Sequence, residues 1–279
     1  MTIGLSRNVW TALFLSVFGI VFIYPLLWLG FASVKPNTEV FSSIGLWPSE
    51  FVWDSYARGW QGVGRSSFGR FFLNTFVMVV PVVVLTALSS VVVAYGFARF
   101  NFPFKRLFFV LMISTLMLPD AVVMIPRYIL FRDFGWLNSY WPFYVPALLA
   151  VNAFFVFLLV QFFRGIPRDL DEAAVIDGCN SFSILVRVLA PLSVPAIVSV
   201  CIFQFIWTWN EFFNALIYIN SVTKFTVSLG LRMVLDNEGA VNWNQVMAMS
   251  VVTIVPCIVV FFLAQKHFVE GISTTGLKG

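Results

Sequence analysis

Two acidic residues stand inside long apolar stretches of this sequence and are its first candidates for chemistry. Asp120 follows Pro119 in LMLPDAVVMIP, and Glu211 lies in WTWNEFFN. An ionisable side chain inside a membrane-spanning segment is costly and usually faces a cavity or a partner. Asp120 has two open interpretations, since it could line a pathway or cap a half-helix that starts after Pro119. Neither acid belongs to a nucleophile–base pair, so binding is favoured over bond-breaking chemistry.

The residues around Glu211 have the spacing of one helical face. Trp207, Asn210, Glu211 and Asn214 stand at positions i, i+3, i+4 and i+7, which places them together on a helix. Such a face offers an aromatic surface beside amide and carboxylate groups, a mixture that could bind the apolar faces and hydroxyl edges of a sugar. The alternative is an aromatic belt at the outer water boundary. The belt is favoured for Trp209, and both interpretations stay open for Asn210 and Glu211.

The composition indicates an integral membrane protein. Of 279 residues, 60% are hydrophobic and 11% are charged, whereas soluble domains carry about 25% charge. The formal net charge of +4 requires no nucleic-acid partner. The cysteines, Cys179, Cys201 and Cys257, lack metal-ligand spacing, so we expect no metal site and no disulfide.

The apolar segments predict an all-α, polytopic protein with six transmembrane helices in one domain over residues 1–279. Each segment reaches the roughly 20 residues that a spanning helix needs. The apolar run from Val9 to Val34 is too long for a signal peptide, so the first span is expected to be retained. Prolines inside several spans are interpreted as packing kinks. The predicted spans are 10–33, 72–97, 107–127, 141–163, 192–219 and 246–268.

The distribution of positive charge bears on the orientation in the membrane. Lys and Arg are enriched in cytoplasmic loops. With six spans both termini share one side, which would carry nine Lys and Arg against eight on the other. The turn from Arg99 to Arg106 holds three cations and no acid. It favours a cytoplasmic position for this turn and for both termini.

The longest polar interval in the C-terminal half is RGIPRDLDEAAVIDGCNSFSILVRVLAP, residues 164–191, here called the platform. A segment with charges of both signs cannot lie in lipid, so it must face water. Asp169 is predicted as the N-cap of a helix with an acidic first turn, and Gly178 as its left-handed C-cap. An apolar helix over 182–189 follows. The platform is therefore predicted to be two short helices joined at a glycine.

The platform resembles the EAA loop of binding-protein-dependent ABC import permeases. In that family Glu-Ala-Ala is followed by Gly four residues after the second Ala, and the loop ends in Ile-x-Leu-Pro. Here Glu172-Ala173-Ala174 precedes Gly178 at that distance, and Val188-Leu189-Ala190-Pro191 ends the loop with two mild departures. Three further stretches are similar to carbohydrate-importer permeases such as the smaller permease of the maltose system. They are SVKP with EVF within 33–41, WNEF at 209–212, and GISTTGLKG at 271–279.

The resemblance implies a role in ATP-driven import. The platform would be a coupling helix seated in a cytoplasmic ATPase subunit, and the tail would reach the ATPase interface. The implied partners are a second related permease, two ATP-binding subunits, an extracytoplasmic substrate-binding protein and a carbohydrate, expected to be an oligosaccharide, in a bacterial inner membrane. The implied contact residues are Glu172, Ala173, Ala174, Asp177 and Gly178 in the platform, and Lys278 and Gly279 in the tail.

ATP chemistry is assigned to partners for an independent reason. The chain has no Gly-x4-Gly-Lys-[Ser/Thr] phosphate loop, so ATP and Mg²⁺ would be bound by the ATPase subunits and no cofactor by this chain. A membrane-embedded enzyme is one alternative, and it would need a convergent set of His, Asp or Glu. A self-sufficient secondary carrier is another, and it would need an inverted repeat. No second copy of the platform motif is present.

Overall fold

The computed structural model describes residues 3–43, 45–62, 66–235 and 241–273. Helices account for 77% of the structure, which confirms the predicted all-α class. A π-helical turn, Leu185–Leu189, lies between the short helices Ser181–Ile184 and Ala190–Leu192. The α-helices are α1 Ile3–Ala32, α2 Asp54–Gln61, α3 Phe68–Arg99, α4 Lys105–Thr115, α5 Asp120–Asp133, α6 Trp141–Leu148, α7 Ala153–Gly165, α8 Asp169–Ile176, α9 Ser181–Ile184, α10 Ala190–Leu192, α11 Val194–Trp209, α12 Phe213–Tyr218, α13 Val227–Leu235 and α14 Trp243–Ser273.

Several of these helices can cross a membrane. Among the described residues, four segments are long and apolar enough alone: Val9–Ala32, Phe68–Arg99, Trp141–Gly165 and Trp243–Leu263. Two helix pairs also qualify if each is counted as one broken span. The pair α4 and α5 is bent by 102°, and Ser181–Leu192 is bent by 78° against α11. The polytopic helical fold is thus confirmed, and it has six spans when each bent pair counts once.

Pro119 marks a complete break in the predicted span 107–127. Helix α4 ends at Thr115, and α5 begins at Asp120 after Pro119 adopts an extended conformation with φ −61° and ψ 133°. Proline lacks the N–H that a continuous helix would need, and it disfavours helical geometry in the residue before it. Other prolines that the sequence places inside spans remain within continuous helices: Pro25, Pro81, Pro126 and Pro256.

The chain divides into two compact units. The first unit comprises Met1–Phe71 and Gly230–Val255, and the second comprises Phe72–Leu229 and Pro256–Gly279. In the first unit, the buried Lys35 donates from Nζ to the Gly45 carbonyl oxygen at 2.5 Å, which holds the loop after α1. In the same loop, the hydroxyl and backbone N–H of Ser49 both donate to the Glu39 carboxylate and hold the pKa of Glu39 below its usual range.

The core of the second unit forms around α7. Five buried residues of α7 recur at the spacing of one helical face, and they are Phe155, Val156, Leu159, Val160 and Phe163. They pack with Ala94 and Ala98 of α3 and with Leu185 and Leu189 of the platform. The platform is therefore fixed to the core of the second unit by its own apolar residues.

Candidate functional site: the platform and a mixed cavity

The first platform helix, α8, ends before Gly178 as predicted but begins one residue earlier than predicted. Asp169 is its first helical residue, and the residue before it, Arg168, is in the helical region with no side-chain cap. The predicted N-cap role of Asp169 is therefore wrong. An N-cap adopts a non-helical conformation, whereas the helical turn here already begins at Arg168. The acidic first turn of Asp169, Asp171 and Glu172 is present and favours the positive end of the helix dipole.

The glycine joint between the platform helices is confirmed. Gly178 has φ +80°, the left-handed conformation that glycine adopts without a steric penalty. The Cys179 N–H donates to the Ala174 carbonyl at 2.9 Å, which closes the end of α8. The second helix then starts with a cap that the sequence analysis missed. Asn180 Oδ1 accepts from the Ser183 N–H at 2.8 Å, and an Asn just before an apolar run was the available signal.

A largely buried ion pair anchors the platform to α3. Arg99 Nε lies 2.6 Å from Asp171 Oδ2, and the two side chains are 7% and 19% exposed. Arg99 Nη2 also donates to the Ile166 carbonyl at 3.1 Å, and the Tyr95 hydroxyl donates to the Ser181 carbonyl at 3.0 Å. The C-terminal end of α3 therefore holds both helices of the platform.

The outer face of the platform combines polar and apolar side chains. Of the residues implied in coupling, Glu172, Ala173, Asp177 and Gly178 are exposed, whereas Ala174 is buried in the core of the second unit. The small size of Ala174 thus serves the packing of α8 on its own protein. Apolar side chains of this face are also exposed, and the analysis of the sequence did not single them out: Leu170 42%, Val175 59%, Ile176 86% and Phe182 72%.

A cavity of about 730 Å³ lies within the second unit, here called the mixed cavity. This volume is in the range of small-molecule sites. Asp120, Trp207, Glu211 and Asn214 line it, whereas Asn210 does not. The structure thus brings four of the five candidate residues together. Other lining side chains that the sequence analysis did not identify include Thr86, Arg127, Phe131, Trp136, Phe143, Asn152, Gln204, Thr208 and Tyr218.

Glu211 reaches the mixed cavity from the short non-helical segment between α11 and α12, not from a continuous helix. Helix α11 ends at Trp209 and α12 begins at Phe213, so the single helical face predicted for these residues is wrong. The Glu211 carboxylate accepts from both the backbone N–H and the side-chain amide of Asn214, each at 3.0 Å. It therefore stabilises the start of α12, and Asn214 stays beside it in the cavity wall.

Asp120 lies in the cavity wall and forms an ion pair. Its Oδ1 is 3.0 Å from Arg127 Nη2, and the two side chains are 61% and 35% exposed. Asp120 is the first residue of α5, and the cap position belongs to Pro119. The structure therefore contradicts the capping interpretation and places Asp120 in the wall of the cavity. Asp120 and Arg127 together present a dipolar pair to the cavity.

Trp209 and Asn210 contact other parts of the protein and do not line the mixed cavity. Trp209 is 1% exposed, stacks on Phe205 at 5.4 Å and meets Phe76 edge-on at 4.9 Å. The favoured interpretation as an interfacial belt residue is therefore wrong, since its ring is part of the core. The Asn210 amide donates to the Ile206 carbonyl at 2.8 Å, which ends the last turn of α11.

Two polar residues of α11 were detectable in the sequence as interruptions of an apolar span. Gln204 Nε2 donates to Thr208 Oγ1 at 2.6 Å, and both residues line the mixed cavity. They stand one helical turn apart, so they share a face with Trp207 close by.

The tail residues Lys278 and Gly279 lie outside the described part of the chain.

Comparisons with known proteins give consistent matches. The family model "Binding-protein-dependent transport system inner membrane component" matches residues 90–274. The probable ABC transporter permease YurM of Bacillus subtilis is 33% identical over 98% of this chain and 89% of its own. The arabinooligosaccharides transport system permease AraQ of the same species is 32% identical over 96% of this chain and 94% of its own.

The fold also has a counterpart among solved structures. A chain from a bacterial ABC transporter involved in the import of the acidic polysaccharide alginate superposes with a TM-score of 0.83. The alignment covers 96% of this chain and 98% of that one, at 23% sequence identity. At this identity the match establishes a shared fold.

Proposed function

Since the chain belongs to the family of inner-membrane components of binding-protein-dependent transport systems, we propose that it is one of two permease subunits in an ATP-driven carbohydrate importer. A second, related permease completes the path. An extracytoplasmic binding protein delivers the substrate, and two partner ATPase subunits bind ATP and Mg²⁺. The observation that carries this proposal is the platform, which is fixed to the core on one side and exposes Glu172 and Ile176 on the other.

The platform transmits motion because Leu185, Leu189 and the Arg99–Asp171 pair fix it to the core, while its outer face is exposed to a partner. The ATPase holds α8 through Glu172, Ala173, Asp177 and Gly178, with Val175 and Ile176 as apolar contacts. Ala174 takes part from the inner side by allowing α8 to pack closely on the second half of the platform, α9 and the π-helical turn Leu185–Leu189. When the ATPase dimer closes, the Arg99–Asp171 pair transfers the displacement of α8 to α3. We propose that the platform and both termini lie in the cytoplasm, and that the tail residues Lys278 and Gly279 contact the ATPase.

The mixed cavity forms part of the substrate path. Aromatic rings such as Trp207 and Phe143 can cover the apolar faces of a sugar, and Gln204 and Asn214 can bond its hydroxyl groups. A path must bind its substrate loosely enough to release it. Exposed rings beside a few polar groups meet this requirement, because each ring contact contributes only about 0.5–1.5 kcal/mol beyond its burial.

The charges of the cavity favour a neutral oligosaccharide. Among the described lining residues, those with a charged side chain are Asp120, Arg127 and Glu211. The one cation of this set is paired with Asp120, so an anionic sugar would face an excess of negative charge. AraQ, a permease of an arabinooligosaccharides transport system, supports the choice of a neutral oligomer.

Trp207→Ala is expected to weaken uptake of a neutral oligosaccharide without unfolding the protein. The ring is 45% exposed and packs on Phe155 at 5.0 Å. Its loss should lower kcat/KM for uptake roughly threefold to tenfold, since an aromatic contact contributes about 0.5–1.5 kcal/mol. The measurement is uptake of radiolabelled arabino-oligosaccharides by the assembled transporter in proteoliposomes. An acidic alginate oligomer serves as the competing substrate.

Phe213→Ala is the matched control. Phe213 is 66% exposed and does not line the mixed cavity, so its replacement should leave uptake unchanged. Equal losses of kcat/KM for uptake in Trp207→Ala and Phe213→Ala would show that the mixed cavity is not part of the substrate path. Preferential uptake of the alginate oligomer would contradict the neutral substrate.

A further inference from the structure

A second concave site lies beside the start of the platform and has a basic lining. Its volume is about 460 Å³, and we call it the basic pocket. It is formed where the end of α3, the start of α4 and the end of α7 meet. Its lining residues are Ala98, Arg99, Lys105, Arg164, Gly165, Ile166, Pro167 and Arg168. Four of these side chains carry positive charge.

Only one of the four cations is neutralised by an acid within the described part of the chain. Arg99 is paired with Asp171. Lys105 Nζ donates to the Phe100 carbonyl at 2.6 Å, and the Arg164 guanidinium lies 5.1 Å from the centre of the Phe109 ring. These contacts orient the side chains but do not neutralise their positive charge. Arg168 and Arg164 both act electrostatically on Lys105, so like charges converge on one space.

An anion in the basic pocket would relieve this repulsion. Arginine and lysine donors that converge from several helices suit a phosphate group, which accepts several charge-assisted hydrogen bonds at once. Basic pockets between membrane helices are a recurrent form of lipid headgroup site. The outer surface of α4 next to the pocket is apolar, and its exposed side chains are Leu107 53%, Phe108 51% and Leu111 53%.

We propose that the basic pocket binds the phosphate of an anionic phospholipid headgroup, with the acyl chains lying along α4. Lys105, Arg164 and Arg168 hold the phosphate, and Arg99, which is paired with Asp171, also lines the pocket. Arg168 immediately precedes α8, so a bound headgroup also fixes the N-terminal end of the platform. The site is independent of the transported substrate. Free inorganic phosphate has the same binding chemistry and is the alternative source of the ligand.

The test compares lipid retention by the assembled transporter in wild-type form and as the double variant Lys105→Gln/Arg168→Gln. Nanodiscs of phosphatidylglycerol in phosphatidylcholine supply the lipid, and native mass spectrometry counts the phosphatidylglycerol that stays bound after detergent exchange. Retention should fall about tenfold or more in the double variant, since each removed cation contributes to anionic headgroup affinity. A parallel titration with inorganic phosphate measures displacement of the lipid.

Arg106→Gln is the matched control, because Arg106 belongs to the same basic turn but does not line the basic pocket. It should retain phosphatidylglycerol as the wild type does. Phosphate binding that depends on Lys105 and Arg168 without lipid retention would keep the site and assign its ligand to free phosphate. Equal retention and equal phosphate binding in all three proteins would overturn the proposal.

Discussion

Asp171→Ala should lower the thermal unfolding midpoint of the protein far more than Asp133→Ala does. Removing Asp171 leaves the Arg99 guanidinium, 7% exposed, without its acid. Breaking a fully buried pair in this way costs about 3–5 kcal/mol, and the partial exposure of the Asp171 side chain places this pair toward the lower end of that range. Because this pair joins α3 to the platform, substrate-stimulated ATP hydrolysis by the assembled transporter should fall as well. The midpoint is measured in detergent, and hydrolysis is measured in proteoliposomes.

Asp133 provides the comparison because it also pairs with an arginine. Arg132 and Asp133 are 58% and 59% exposed, and an exposed pair of this kind contributes about 0–1 kcal/mol. The double variant Arg99→Met/Asp171→Leu should recover most of the lost midpoint, since apolar replacement of a buried pair is often neutral or stabilising. Equal midpoints for Asp171→Ala and Asp133→Ala would show that the pair does not anchor the platform.

Gly178→Val should uncouple ATP hydrolysis from uptake, whereas Gly135→Val should not. The two glycines have φ values of +80° and +69°, and at both an added Cβ meets no atom within 4 Å. The substitutions therefore impose the same kind of backbone strain, about 1–2 kcal/mol or more for a branched side chain. Only Gly178 joins the two platform helices, so only its variant should reorient them.

The readout is the ratio of substrate-stimulated to basal ATP hydrolysis. For Gly178→Val this ratio should fall about tenfold or more, which corresponds to a typical coupling free energy between sites. Gly135→Val should keep the ratio within about twofold of the wild type, since the φ strain there affects local stability alone. Comparable ratios in the two variants would contradict the role of the glycine joint.

The platform was predictable because its signals are local. The acidic first turn places the start of α8. Gly178, four residues after Ala174, places its left-handed end. The Arg99–Asp171 pair was not predictable in this way, because its partners lie in different predicted elements and meet only after the helices pack. The same reason hides the basic pocket, whose cations come from α3, α4, α7 and the loop before α8.

For the mixed cavity, the sequence predicted which residues lie together but not the local structure that holds them. Helical spacing placed Trp207, Glu211 and Asn214 together, and they do share the cavity. The spacing gave the wrong local structure, because no proline or glycine marks the break between Trp209 and Phe213. The hydrogen bonds of the Glu211 carboxylate to Asn214 stabilise a new helix start there. At Pro119 a residue type did mark the position, but the interpretation as a packing kink was wrong, because the helix ends at Thr115 and restarts at Asp120 with a bend of 102°.

Photo-crosslinking from position 176 tests the central claim most directly. Ile176 is 86% exposed on the outer face of the platform, so a benzoylphenylalanine placed there should react with whatever docks on α8. In membranes that contain the whole transporter, the account predicts a covalent adduct with the ATP-binding subunit. The same probe at Phe134, 54% exposed at the end of α5, should give no such adduct. An ATPase adduct from position 134 with none from 176 would contradict the coupling role of the platform.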